Sequence, residues 1–86
     1  MWPLYEAGDY EGGARILREA LERDPDPALY YNLACMEALL GQSEQAIEHL
    51  SRAVDEPRFR ETASTDSDLD SIRDDPRFVE LLSPRT

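Results

Sequence analysis

Apolar side chains recur every three or four positions along the first part of the chain, which is the spacing of one helix face. Between Tyr10 and Arg23 the face opposite Glu and Arg carries Ala14, Leu17, Ala20 and Leu21. Asp9 can cap this helix, and the Asp24-Pro25 pair ends it because the residue before proline avoids helical geometry. The pattern predicts a helix over 10–23, with Gly12-Gly13 as its weakest point.

Two further helices follow by the same spacing. The second is predicted from about Pro27 to Leu40, with Asp26 as its cap and Gly41 as its stop. The third is predicted over 44–55, with Ser43 as its cap. Its apolar stripe keeps the helical period over two turns: Ala46, Ile47, Leu50, Ala53 and Val54.

After Pro57 the pattern weakens into short pieces. Segments 58–63 and 66–73 predict short helices, the second with Leu69 and Ile72 turned inward. Asp75-Pro76 opens a last helix through residue 82, whose buried side is Phe78, Leu81 and Leu82. No segment alternates as a strand would, so the predicted fold class is all-α.

The chain also repeats itself at a step of 33 residues. Gly8 and Gly41 are that far apart, and so are the pairs Glu11 and Glu44, Leu17 and Leu50, and Ala20 and Ala53. A repeat of this length is typical of stacked pairs of antiparallel helices, in which one pair cannot bury its apolar face alone.

On these residues the chain resembles the tetratricopeptide repeat family. The characteristic positions of a full repeat over 27–57 are matched by Tyr30, Leu33, Ala34, Gly41, Ala46, Leu50, Ala53 and Pro57. Residues 2–25 resemble a partial preceding repeat through Gly8, Leu17 and Ala20, so we expect either a fragment of a longer protein or a first helix reduced to a stub. The string 68–78 within segment 58–84 resembles the closing motif of many bacterial arrays. The resemblance implies one domain over 1–86, an α-solenoid fragment of helix-turn-helix repeats with short C-terminal capping helices.

In this family the first helices line a binding groove, which implies a set of candidate groove residues: Ala28, Tyr31, Asn32, Cys35, Ala38 and Leu39. The lining is mostly apolar and suits a hydrophobic or amphipathic segment of a protein. It suits equally well burial under the chain's own tail or against a second copy. Asn32 matches a position that bonds bound peptide backbone in some members, but residues 2–7 lack the basic side chains of a carboxylate clamp.

Charge narrows the choice of partners. The 86 residues include 19 acidic and 9 basic side chains, for a net charge of -10. Such a surface repels nucleic acid and anionic membranes and attracts basic partners. A lone Cys35 forms no internal disulfide, no apolar run is long enough for a membrane span, and residues 1–6 lack a signal peptide's features. We therefore expect a cytoplasmic protein.

No cluster in the sequence predicts catalysis, a metal or a cofactor. Asp66, Asp68 and Asp70 begin like a calcium loop, but Ser71 and Arg77 stand where that loop needs Gly and Glu. His49 lacks a nucleophile elbow and a second metal ligand, and is expected to be a partly exposed packing residue. Cys35 is expected to be a small buried hydrophobe, with a reactive or oligomer-linking thiol as the alternative.

The sequence thus favours a non-enzymatic interaction or scaffold module that binds a protein or peptide. The alternative is a C-terminal assembly module of a larger bacterial regulatory or sensor protein, which forms a homo-oligomer.

Overall fold

A computed structural model of the chain describes residues 9–82. Its regular structure is helical. In chain order the helices are α1 (Tyr10–Arg23), α2 (Pro27–Leu39), α3 (Ser43–Ala53), α4 (Pro57–Ala63), the 3-10 helix η1 (Ser67–Ile72) and α5 (Pro76–Leu82). No strand occurs between residues 9 and 82. The predicted all-α fold class is therefore confirmed.

Aspartates and a glycine set the ends of the first two helices as predicted. The Asp9 carboxylate accepts a hydrogen bond from the Gly12 amide at 3.0 Å, and Asp26 accepts one from Ala28 at 2.8 Å. Gly41 follows α2 with a φ of 80°, in the left-handed region that favours glycine.

The start of α3 differs from the prediction. Ser43 is the first residue of the helix, and Gln42 precedes it without a side-chain capping bond. The Gln42 carbonyl already accepts from the Ala46 amide at 3.0 Å, so the backbone turns helical one residue before a serine cap could act. The ends of α2 and α3 also fall slightly early, at Leu39 and Ala53, within the usual uncertainty of helix ends.

Gly12 has a steric role within α1. A Cβ atom built on it would lie 2.5 Å from the Asp9 Oδ2 atom. The glycine that lowers helix propensity at this position therefore leaves room for the capping carboxylate.

Helix α2 is the centre of the fold. It is apolar on nearly every side, and α1, α3 and η1 all pack against it. Ala34, Ala46 and Ala53 are fully buried where α2 and α3 meet, and their small size lets the two helices approach closely. Of the residues predicted to point inward after Pro57, Leu69, Ile72 and Phe78 are buried. Leu81 and Leu82 are only half-buried, because the short last helix packs against the edge of the core.

The residues that match the repeat pattern are mostly internal. The following are buried: Leu17, Leu33, Ala34, Ala46, Leu50 and Ala53. Ala20 and Tyr30 are half-buried, Gly41 and Pro57 are exposed, and Gly8 lies outside the described residues.

Candidate functional site

The predicted groove residues of α2 divide into covered and open positions. Tyr31, Cys35 and Ala38 are buried in one cluster with side chains of η1. Ala28 and Leu39 are half-buried, and Asn32 is exposed. Of the occupants that the sequence left open, the chain's own C-terminal part covers the three buried positions.

Three polar contacts fasten η1 and the residue before it to this face of α2. The Tyr31 hydroxyl donates to Asp66 Oδ2 at 2.7 Å, and the Cys35 sulfur lies 3.9 Å from the same oxygen. The Ser71 hydroxyl donates to the Ala38 carbonyl at 2.8 Å. Burial raises the pKa of the Tyr31 hydroxyl and of the Cys35 thiol, and the nearby Asp66 carboxylate raises both further. Both groups therefore stay protonated at neutral pH.

This cluster has the composition of a weak metal site. Donor atoms of Cys35, Asp66 and Asp68 lie within 4.8 Å of one another. A metal binds the thiolate, so binding here would require the Cys35 thiol to lose its proton. Asp66 also uses one carboxylate oxygen to accept from the Asp68 amide at 3.0 Å, and Asp70 pairs with Arg73 at 3.1 Å. Asp66 and Asp70 therefore both take part in the local structure around η1.

A second polar cluster, which the sequence interpretation missed, joins α2 to both of its helical neighbours. Glu37 of α2 is only 1% exposed. Its Oε1 lies 2.7 Å from His49 Nδ1 on α3, and its Oε2 lies 3.6 Å from Arg18 Nη2 on α1. An ionised carboxylate only accepts hydrogen bonds, so with Glu37 ionised the His49 proton is on Nδ1.

His49 is held here by packing as well as by its hydrogen bond. Its ring stacks on that of Tyr30 with the centroids 6.0 Å apart, and its side chain is about a quarter exposed. The expectation of a partly exposed packing residue is confirmed. Ser51, two residues further along α3, donates to the Glu48 carbonyl of its own helix at 2.6 Å.

One signal in the sequence could have located this cluster. Glu37 is the charged residue in a helix that is otherwise apolar on almost every side. Such a helix is central, so its carboxylate must be buried and must have a partner. The identity of that partner depends on how α3 is rotated about its axis, which periodicity does not give.

The surface carries a groove between α3 and α5 that the sequence did not indicate. It has a volume of about 390 Å³. Ile47 and half-buried Leu81 form its apolar floor, and the exposed glutamates 44, 48 and 80 stand around it with Arg77. A neighbouring depression of about 420 Å³ shares Glu44 and Glu48 and extends to His49. The exposed side of α3 is therefore an acidic ridge with a groove on either side.

Arg77 is engaged at the edge of this groove. Its guanidinium contacts the Asp75 carboxylate at 2.9 and 3.2 Å, and its side chain is about half exposed. This contact lowers the pKa of Asp75. The hydrogen bond to Asp75, followed by the charge of Asp75 and a smaller contribution from Glu44, raises the pKa of Arg77. The pair is therefore ionised and contributes no net charge, which leaves the glutamates to set the charge of the groove.

Comparisons with known proteins do not identify a relative. No protein-family model, no curated protein and no solved structure matches the chain. In residues 9–82 no helix has the length and apolar character needed to cross a bilayer.

Proposed function

We propose that the chain is a non-catalytic helical-repeat module of the tetratricopeptide type that holds a segment of another protein in the cytoplasm. The observation that carries this proposal is how the chain uses its surfaces. The central helix α2 is enclosed by α1, α3 and the chain's own η1, while the groove between α3 and α5 stays open. The polar clusters around Glu37 and Asp66 join helices, which suits a scaffold better than an enzyme.

The repeat assignment draws on the 33-residue step and on the burial of its matching positions. Leu17 and Leu50, one step apart, are both buried, and Glu11 and Glu44 are both exposed. Segment 67–72 over the face of α2 fits the role expected of a closing segment. These three features of the chain itself support the repeat assignment.

A second candidate is self-assembly. Ile16 is a large apolar residue on α1 that is 46% exposed, and such a residue can contribute to a contact between copies. In this view the module would position a larger regulatory or sensor protein by pairing with itself.

Sedimentation equilibrium of the full chain over a concentration series separates the two candidates. We expect a monomer at all concentrations, because each copy carries a net charge of -10 and opposes association. A concentration-dependent dimer that Ile16→Ser abolishes, and that Arg15→Ser on the same helix retains, would replace the first candidate with the second.

A further inference from the structure

We propose that the groove between α3 and α5 binds a cationic segment of a partner protein, in which arginine or lysine side chains flank an apolar one. This inference rests on the proposed function and adds the place and the chemistry of the partner. It concerns a different surface from the face of α2, which the chain itself covers.

The shape of the groove suits part of a peptide. Its volume of about 390 Å³ is near the lower end of the range for ligand pockets, which begins at roughly 300 Å³. Ile47 and Leu81 offer apolar contact at its floor. One or two apolar side chains of a segment would fit there, while the backbone stays at the surface.

The rim supplies the charge complementarity. Three exposed carboxylates surround the apolar floor: those of Glu44, Glu48 and Glu80. Glu48 pairs with Arg52 at 3.2 Å, but both side chains are more than half exposed and such a pair is weak. Cations of a ligand can therefore reach all three carboxylates.

Arg77 stands where a cation of the ligand would bind. It lines the groove, and Glu44 is close enough to raise its pKa. Its salt bridge with Asp75 keeps it at the rim. A bound segment would have its own cations beside this guanidinium, so Arg77 opposes binding and its removal should strengthen it.

A second copy of the chain is a poorer occupant. Two copies would each bring a charge of -10, with Glu44, Glu48 and Glu80 on the approaching surface. Stable interfaces bury on the order of 1,200 Å² or more, and a floor of two side chains adds little of that. A basic partner meets the same carboxylates with attraction.

Fluorescence anisotropy with two labelled peptides tests the proposal. The probe has two leucines flanked on each side by arginines, and its counterpart has glutamate in place of every arginine. We expect the full chain to bind the arginine peptide and not its counterpart. The double variant Glu44→Gln/Glu80→Gln should weaken binding by roughly tenfold, because two ion pairs are lost.

The matched control carries the same charge change elsewhere. Glu19 and Glu22 are exposed on α1, away from the groove, and Glu19→Gln/Glu22→Gln should leave the affinity within roughly twofold of the parent. Arg77→Ala should strengthen binding, whereas Arg15→Ala on α1, with the same change in net charge, should not. Circular dichroism melts of all four variants establish that each is folded.

Amide chemical shifts of the ¹⁵N-labelled chain locate the peptide. Chemical-shift changes confined to α3 and α5 would support binding of the peptide in the groove. Equal losses of peptide affinity in the groove variant and in the control variant would contradict binding in the groove. Chemical-shift changes centred on α1 would contradict it too, and either result would leave the proposed function unaffected. If the arginine peptide does not bind, the proposal that the groove takes a cationic segment is wrong. The proposed function is tested separately by sedimentation equilibrium. Dimer formation that Glu44→Gln/Glu80→Gln promotes would assign the groove to a second copy.

Discussion

The two polar clusters that contact α2, around Glu37 and around Asp66, differ in how deeply the acidic side chain is buried and in how many hydrogen bonds it accepts. Glu37 is almost fully buried between α1 and α3, and among the described residues its Oε2 makes no hydrogen bond. Its carboxylate contacts His49 at 2.7 Å and Arg18 at 3.6 Å. Asp66 is only partly buried at the other face of α2, and both of its oxygens accept hydrogen bonds, one of them from Tyr31.

The difference indicates how much each cluster tolerates the loss of a partner. A buried acceptor without a donor loses its hydration and no hydrogen bond replaces it, which lowers the free energy of unfolding. The loss of a remaining Glu37 contact should therefore be strongly destabilising. Asp66 is accessible enough for water to replace a lost donor. We therefore expect the Glu37 cluster to be the more sensitive of the two.

The largest effect is expected from His49→Phe. Phenylalanine can keep the stacking on Tyr30 but removes the nitrogen that contacts Glu37. The buried carboxylate is left with the distant Arg18, and the free energy of unfolding should fall by about 2–3 kcal/mol. Urea denaturation at neutral pH measures the change.

A second substitution separates the buried charge from simple packing. Glu37→Met in the His49→Phe background removes the carboxylate as well, so stability should return to within about 1 kcal/mol of the parent. If the double variant is as unstable as His49→Phe, the loss comes from packing around the ring and the comparison fails.

An intermediate effect is expected from alkaline pH, which acts on the Asp66 cluster through Cys35 and Tyr31. The Cys35 and Tyr31 groups have ordinary pKa values of 9.0 and 10.0, and folding raises both. The unfolded chain therefore releases these protons first, so the stability that they contribute is intact below pH 9.0 and is lost as the pH rises. Between about pH 8 and about pH 10 the free energy of unfolding should fall by about 1–2 kcal/mol.

Cys35→Ala is the control for this titration. It removes the group with the lower ordinary pKa, so stability should fall less steeply between the same two pH values. Urea midpoints at both values measure the slopes. Parallel curves for the parent and the variant would show that Cys35 does not contribute to the alkaline loss.

The smallest effect is expected from Tyr31→Phe. It removes the donor to Asp66 at the partly exposed cluster and should cost about 1 kcal/mol. Tyr30→Phe on the same helix is the matched control, because Tyr30 contributes its ring by stacking on His49. Hydrogen exchange should show faster opening of η1 in Tyr31→Phe alone. A loss as large as that of His49→Phe would contradict the ranking of the two clusters.

Local rules predicted the helices well because their signals are close in sequence. Proline, glycine and aspartate mark the ends of α1 and α2, and Asp75, whose carboxylate accepts from the Arg77 amide at 2.9 Å, marks the start of α5. The cap of α3 was predicted wrongly, because the Gln42 carbonyl accepts from the Ala46 amide and Ser43 is already the first helical residue. Such shifts of one residue depend on the geometry of the preceding turn rather than on residue type.

The candidate sites were less accessible from the sequence. Glu37 and His49 are 12 residues apart, and Tyr31 and Asp66 are 35 apart, so their contacts depend on how the helices are rotated and placed. The groove requires the position of α5, a helix of seven residues with a weak apolar pattern. Its glutamates look like ordinary surface residues until Leu81 is placed beside Ile47.

The attachment of η1 to α2 also has a consequence for the order of folding. Ser71 reaches the Ala38 carbonyl across 33 residues, whereas the Glu37 and His49 contact closes a loop of 12. Shorter loops lose less chain entropy on closure, so we expect α2 and α3 to pair first and η1 to dock last. During synthesis the apolar face of α2 therefore remains uncovered until residues 67–72 have emerged from the ribosome. That interval is when a chaperone would find its binding surface on this protein.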